Sequence, residues 1–151
     1  MSQFKSKDVS LVDIDIVRFS ISEDASEDED INFSLDKCDI GINIPQKLAK
    51  IVFDFALEGY CECSFKIEVL FEVENIEEYV ERDSESQKIH PINKDFYPHL
   101  FAISYSTIRG IVYTKTLGIR YGGILLPIVD PARFYRRFLK EEKKDENQSN
   151  S

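Results

Sequence analysis

Histidine, the side chain most often used as a base or a metal ligand near neutral pH, occurs twice in this 151-residue chain. His90 and His99 lie apart in the sequence, and each stands beside a proline, in His90-Pro91 and Pro98-His99. Prolines at these places mark loop sequence. We therefore expect both histidines to be ordinary surface or capping residues rather than a catalytic base or a metal ligand.

The cysteines are the next candidates for chemistry. There are three, Cys38, Cys61 and Cys63, and a disulfide between the two that are two positions apart would be strained. The odd number and this spacing suit a reducing compartment. A Cys-x-Cys metal site is one interpretation, but only acids stand nearby as further ligands. We favour the other interpretation, in which both are small buried or half-buried strand residues.

Patterns that mark other kinds of active site are absent from the sequence. Gly122-Gly123 is not followed by the Lys-Ser/Thr pair of a phosphate-binding loop and does not have the spacing of a dinucleotide fingerprint. No serine stands in a Gly-x-Ser-x-Gly elbow. Adjacent acids such as Glu77-Glu78 are expected by chance at this composition, and we interpret them as solvated surface charge. The sequence therefore predicts no enzyme activity, no metal site and no cofactor.

A basic cluster lies near the end of the chain. It comprises Arg133, Arg136, Arg137, Lys140, Lys143 and Lys144. Positive charge is favoured at the C-terminal end of a helix by the helix dipole, so we interpret the cluster as the exposed side of a last helix. Contact with an anionic partner is the alternative.

Charge and length limit the classes of partner. The chain has 28 acidic against 19 basic residues, a net charge of −9, and such a field repels nucleic-acid phosphates and anionic lipids. The longest apolar run, residues 124–129, is too short to insert into a bilayer, and residues 1–10 lack the apolar core of a secretory signal. We expect a cytoplasmic protein with one domain over residues 1–140 and a disordered polar tail over 141–151.

Four stretches alternate between apolar and polar residues with the period of two that is typical of β-strands. They cover residues 12–21, 31–44, 51–57 and 65–73. The alternation of the first changes phase near Ile16, and the second is interrupted at residues 36–39, so bulges are expected at both places. Residues 22–30 contain six acids in nine positions and are predicted to form a solvated loop. Short links between the four stretches predict an antiparallel sheet with one apolar and one charged face.

The second half of the chain changes to a helical period. A polar crossover loop over residues 76–98 precedes a helix that is predicted to begin at Pro98 and to end at Gly118. Its apolar residues cover more than one stripe, so we expect the helix to bury a second face against something besides its own sheet.

An apolar, glycine-containing connector follows the long helix. It leads to Asp130, which suits a helix cap, and to Pro131, which suits the first helical position. The short terminal helix would carry an apolar stripe of Phe134, Tyr135, Phe138 and Leu139. One sheet and one helix can cover only one sheet face, and each large apolar side chain left wet forfeits about 1.5–3 kcal/mol. Some of this surface should therefore contact another chain.

The order of these parts resembles the SecB family of bacterial export chaperones. The similarity extends over about residues 9–139 and is most specific over residues 97–138, where a Pro-x-Leu-Phe helix start, a glycine after the helix and the connector "ILLPI" follow the family's order. The implied fold is α+β: a four-stranded antiparallel sheet, a crossover loop, a long helix, an apolar connector and a short C-terminal helix.

This resemblance implies a homotetramer, a dimer of dimers with the long helices at its centre. It also implies an ATP-independent holdase without a cofactor, which would bind unfolded precursor polypeptides and hand them to the motor SecA. By matching order, the implied client-binding residues are Phe33, Phe65, Tyr121, Leu125, Phe134 and Phe138. The implied partner-docking residues, on an acidic outer sheet face, are Asp13, Asp15 and Glu68.

The first helix departs from the better-studied members. Where they continue Phe-Pro-Tyr, this chain continues Phe101-Ala102-Ile103. A dedicated SecB-like chaperone or adaptor for a single partner, for instance an antitoxin, is therefore the alternative to general export. A third class, a small-ligand-binding or enzymatic domain, would need a convergent polar cluster, which the sequence does not predict.

Overall fold

The computed structural model describes residues 3–22, 30–59, 61–119 and 122–128, together with residues 130, 133, 136 and 137. Its elements in chain order are β1 (Val9–Ser22), β2 (Ile31–Asn43), β3 (Leu48–Gly59), β4 (Glu62–Val73), β5 (Val80–Arg82), β6 (Ile89–Pro91) and α1 (Phe96–Lys115), with short 3-10 turns at Ser6–Asp8 and Ile76–Glu78. A long antiparallel sheet followed by one long helix confirms the predicted α+β class. Most of the predicted terminal helix, and all of the polar tail, lie outside the described residues.

The four long strands form one antiparallel sheet in the order β1-β4-β3-β2. Strands β3 and β4 form the centre, and β1 and β2, which are consecutive in the chain, lie at opposite edges. Central strands have a hydrogen-bonded neighbour on both sides, whereas an edge strand has one. The position in the sheet therefore separates well-covered apolar side chains from those that remain partly exposed.

Alternation along β3 and β4 divides the sheet into an inner apolar face and an outer charged face. Phe53, Phe55, Phe65 and Ile67 are fully buried on the inner face, and the paired residues Phe55 and Phe65 stack with ring centroids 5.1 Å apart. Burying each such side chain stabilises the fold by about 1.5–3 kcal/mol. This inner face is the main part of the core.

Bulges in both edge strands keep apolar residues on the inner face. In β1 the pairing with β4 shifts between Ile16 and Arg18, which confirms the phase change predicted near Ile16, and shifts a second time between Leu11 and Asp13. In β2 the shift lies between Leu35 and Lys37, at the start of the predicted interruption. Each extra residue changes the phase of the alternation, so the apolar residues on both sides of a bulge point the same way.

Helix α1 lies on the inner face of the sheet. Its Phe101 ring packs edge-on against Phe53 of β3, with centroids 5.9 Å apart. The helix begins two residues before the predicted Pro98, which therefore lies in the first turn, where a missing N–H is tolerated. It ends at Lys115, with Thr116 as its C-cap, rather than at Gly118.

The crossover differs from the predicted loop in containing the short hairpin β5–β6. Tyr79, at its start, is fully buried and donates a 2.5 Å hydrogen bond to Asp8, which lowers the pKa of that carboxyl. Burial, and secondarily the same hydrogen bond, raises the pKa of Tyr79. This pair ties the start of β1 to the crossover.

The two histidines have different surroundings. His90 is exposed on β6 and lies 2.9 Å from Glu81 of β5, in agreement with the expected surface position. His99 is half-buried, and its ring packs on Phe4 with centroids 4.9 Å apart. Burial lowers the pKa of His99. It is therefore a packing residue and not the surface or capping residue expected from the sequence.

Candidate functional site

The connector returns along helix α1 after a turn. Gly122 has φ +73°, a left-handed conformation that favours glycine. At Gly123 a Cβ atom would lie 2.4 Å from Cε2 of Tyr113, so the backbone passes against the ring of that helical residue. Both glycines are therefore required by the path of the chain, one for its turn and one for its close approach to α1.

Side chains of α1 and its C-cap bind the connector backbone at three successive places. The Ile124 N–H donates to the hydroxyl of Thr116 at 2.7 Å, Arg109 Nε donates to the Leu126 carbonyl at 3.0 Å, and the Tyr105 hydroxyl donates to the Pro127 carbonyl at 2.5 Å. Burial raises the pKa of Tyr105, so its hydroxyl stays protonated and can donate. The contacting residues run backward along α1, from 116 to 105, as they run forward along the connector, from 124 to 127. The two segments are therefore antiparallel.

From Ile124 to Pro127 the connector side chains alternate between core and solvent, and Ile128 is exposed next to Pro127. Ile124 and Leu126 are 3% and 2% exposed, whereas Leu125 and Ile128 are 69% and 85% exposed. We call Leu125 and Ile128 the connector ridge. Large apolar side chains held in solvent by a backbone that is itself bound to a helix form a surface ready for apolar contact.

A second exposed apolar surface lies on the edge strand β1. We call it the β1 patch, and it comprises Leu11, Val12, Ile14, Ile16 and Val17. Three of these belong to the inner face, opposite buried residues of β4, and two lie at the bulges. They are not among the site residues predicted from the sequence. Alternation could not have found them, because the bulges bring apolar residues of both phases to the inner face and alternation does not reveal that β1 lies at the edge of the sheet.

The predicted client-binding residues lie in different environments. Leu125 is exposed on the connector ridge. Phe33 is half-buried on edge strand β2, against Phe55 at 5.6 Å. Phe65 is fully buried between the rings of Phe55 and Phe19, so within this chain it is a core residue. The other three, Tyr121, Phe134 and Phe138, lie outside the described residues.

The predicted docking residues share the outer face of the sheet. Asp15 stands directly opposite Glu68 in the register of β1 and β4, and Asp13 stands opposite Leu70. Glu68 also forms an ion pair with Lys50 at 3.2 Å, and Arg18 pairs with Asp54 at 2.5 Å on the same face. Exposed pairs of this kind contribute little stability, about 0–1 kcal/mol. They do interleave positive charge with the acids of this face.

The three cysteines are buried thiols. Cys61 and Cys63 are buried thiols with their sulfurs 3.7 Å apart, as the interpretation as small buried residues predicted, although Cys63 lies on β4 and Cys61 in the bend before it. Cys38 is buried on β2. Burial raises the pKa of Cys63 to about 12, which keeps the thiol protonated and unreactive near neutral pH. Among the residues that the structure describes, no group of three potential ligands could hold a metal ion. No helix within the same part of the chain is long and apolar enough to cross a bilayer.

Comparison with known proteins places the architecture. No protein-family model matches the chain, and no curated protein matches its sequence. Among solved structures, a Mycobacterium tuberculosis SecB-like chaperone, Rv1957, in complex with a ChAD peptide from the Rv1956 HigA1 antitoxin, matches with a TM-score of 0.53. The fold is SecB-like. The match covers 82% of this chain and 93% of the mycobacterial chain at 16% identity, so the likeness concerns the fold.

Proposed function

We propose that this protein is an ATP-independent holdase chaperone that binds unfolded precursor polypeptides and keeps them competent for translocation. The observation that carries the proposal is the connector ridge. Leu125 and Ile128 project into solvent. The residue that precedes each of them, Ile124 and Pro127, is hydrogen-bonded through its backbone to Thr116 and Tyr105. Covering one such side chain with a client is worth about 1.5–3 kcal/mol and requires no particular client sequence.

Charge supports the same client chemistry. The chain carries a net charge of −9, and acids such as Asp13 and Asp15 are exposed on the sheet. A negative field attracts basic segments of unfolded chains and keeps a protein with exposed apolar surface soluble. The mycobacterial neighbour was solved with a bound peptide, which supports a polypeptide as the class of ligand.

The test is suppression of aggregation of an unfolded model protein. Wild-type protein should slow the aggregation, and the double variant Leu125→Asp, Ile128→Asp should bind the client at least about tenfold more weakly because two apolar contacts are lost. Ser106→Asp on the exposed side of α1 adds a charge without removing an apolar contact and should behave as wild type. Full protection by the folded double variant would contradict the proposed role of the ridge.

We further propose a homotetramer, a dimer of dimers. The β1 patch and the second apolar stripe of α1, where Ile103 and Ile111 are only partly buried, are the surfaces available for subunit contact. Mass measured by light scattering at micromolar concentration tests this proposal. A monomer at that concentration would contradict it.

A dedicated chaperone or adaptor for one partner is the second candidate function. The specific observation that favours it is that the mycobacterial SecB-like neighbour was solved with a peptide from an antitoxin. Affinity purification from the native cell separates the two functions, because an adaptor returns one stoichiometric partner and a general holdase returns a mixture of unfolded clients.

For the general holdase we propose a cytoplasmic location, no catalytic activity and delivery of clients to SecA through the outer sheet face. Asp13, Asp15 and Glu68 would make this contact, with Glu68 partly neutralised by Lys50. The variant Asp13→Lys, Asp15→Lys should weaken SecA binding while the protection of an unfolded client is retained. Unchanged SecA affinity in that variant would contradict the docking assignment.

A further inference from the structure

Apolar burial alone does not define which connector residues face solvent. Residues 124–129 read Ile-Leu-Leu-Pro-Ile-Val, without a polar side chain. In an extended segment a slip of one residue moves every side chain to the other face. In most strands such a slip would bury polar groups, but here a slip in one direction would place Leu125 and Pro127 where Ile124 and Leu126 are buried. No polar side chain would become buried, so the usual penalty against a slip is missing.

The polar contacts do distinguish them. Tyr105, Arg109 and Thr116 are spaced by four and seven residues, which places them on one side of the helix. They bind the Pro127 carbonyl, the Leu126 carbonyl and the Ile124 N–H, respectively. A slip of one residue would break all three of these contacts, and two of the three side chains, those of Tyr105 and Thr116, are buried. An unsatisfied buried polar group is costly.

The close contact between Gly123 and Tyr113 restricts the connector to the same register for steric reasons. The backbone at Gly123 is so close to Tyr113 that a Cβ atom would lie 2.4 Å from the ring. A slip that moved Ile124 into this place would drive its side chain into the ring. The close contact and the three hydrogen bonds therefore select the same register independently.

We propose that Tyr105, Arg109 and Thr116 are positioning residues that hold the connector in the register that turns Leu125 and Ile128 toward a client. This inference rests on the proposed holdase function. The three side chains need not touch the client, because they act through the connector backbone. They fix which side chains of the connector face solvent, namely those of Leu125 and Ile128. The connector's own sequence, which is apolar throughout residues 124–129, does not specify this.

Thr116→Val tests the inference because it retains side-chain volume and removes the hydroxyl that accepts from Ile124. Two quantities are measured on the full chain: hydrogen exchange of the Ile124 amide and affinity for an unfolded model protein. We expect faster exchange at Ile124 and roughly threefold to tenfold weaker client binding, the range expected for losing the one hydrogen bond that this hydroxyl makes to the connector. Thr116→Ser keeps the hydroxyl and should restore both values. Thr114→Val, at an exposed position two residues away, should change neither.

Tyr105→Phe provides a second variant if Thr116→Val fails to fold, since it removes only the hydroxyl that donates to Pro127. It should raise exchange in the connector and weaken client binding in the same range. Faster exchange with unchanged client affinity overturns the positioning role, as does an Ile124 amide that is already unprotected in the wild type. If the wild-type protein binds no unfolded chain, both the proposed function and this inference are wrong. If it binds unfolded chains with an affinity that substitutions at Tyr105, Arg109 and Thr116 do not change, only the inference is wrong.

Discussion

Replacing Gly123 with alanine places a new methyl carbon 2.4 Å from Cε2 and 2.5 Å from Cδ2 of Tyr113, well inside van der Waals contact. Gly123 does not have a positive φ, so the substitution adds a steric conflict without backbone strain. Overpacking usually costs about 1–3 kcal/mol of folding free energy. The Tyr113 ring is 40% exposed and can swing outward, so we expect a cost near the lower end, about 1 kcal/mol.

Gly118→Ala is the matched control for this substitution. A Cβ atom at Gly118 meets nothing within 4 Å, and its φ is not positive. The same chemical change there should be neutral or stabilise by up to about 1 kcal/mol through the unfolded state. Urea unfolding at one fixed protein concentration compares the two variants, because subunit association would make stability depend on concentration.

A double-mutant cycle identifies the cause of the loss. If the ring of Tyr113 is the obstacle, Tyr113→Ala should remove most of the cost of Gly123→Ala, so that the double variant is about as stable as Tyr113→Ala alone. Equal stability of the Gly123 and Gly118 variants would refute the close approach. A cost at Gly123 that persists without the Tyr113 ring would refute its assignment to this contact.

Three further predictions concern the rest of the molecule. The pKa of Asp8 is lower in the folded protein than its usual value of 3.8, so this carboxylate stabilises the fold above pH 3.8, and the stabilisation is lost as the pH falls through the folded pKa. Tyr79→Phe removes the hydrogen bond that lowers the pKa. It should reduce the free energy of unfolding at neutral pH and make that free energy fall less steeply at acid pH, as measured by unfolding at a series of pH values. Cys63, buried with a pKa of about 12, should resist iodoacetamide at pH 8 in the native protein and react after denaturation; rapid native labelling would contradict its burial. Phe65→Ala should lower the free energy of unfolding, measured in urea, by about 3–5 kcal/mol, and Phe33→Ala should lower it by less because Phe33 is only half-buried. Equal losses would contradict the difference in burial between the centre and the edge of the sheet.

Much of the sheet and helix could be predicted because their signals are local. Alternation along β3 and β4 reports which side of each strand is buried, and the phase change near Ile16 reports a bulge in β1. Both follow from the period of two of an extended chain, which depends only on neighbouring residues. The helical period of α1 is local in the same sense, and its predicted start differs from the observed one by two residues.

The candidate site was predicted less completely. The apolar connector was recognised as an unusual segment, and Leu125 was selected from it, but the exposure of Ile128 and of the β1 patch was not predicted. Phe33 and Phe65 were selected together, although one lies on an edge strand and the other at the centre of the sheet. Alternation is identical in both places, so only the order of the strands separates them.

By itself, the sequence determined the class of the fold, the charge of the protein and the presence of more apolar surface than one sheet and one helix can cover. These properties follow from composition and from periods that repeat over a few residues. The tertiary structure alone decided that Thr116 rather than Gly118 ends the helix, and that Ile128 faces solvent together with Leu125. The connector residues 124–129 are all apolar, so hydrophobicity does not decide which of them face solvent. Their exposure depends on the hydrogen bonds and the glycine contact that the connector makes with α1.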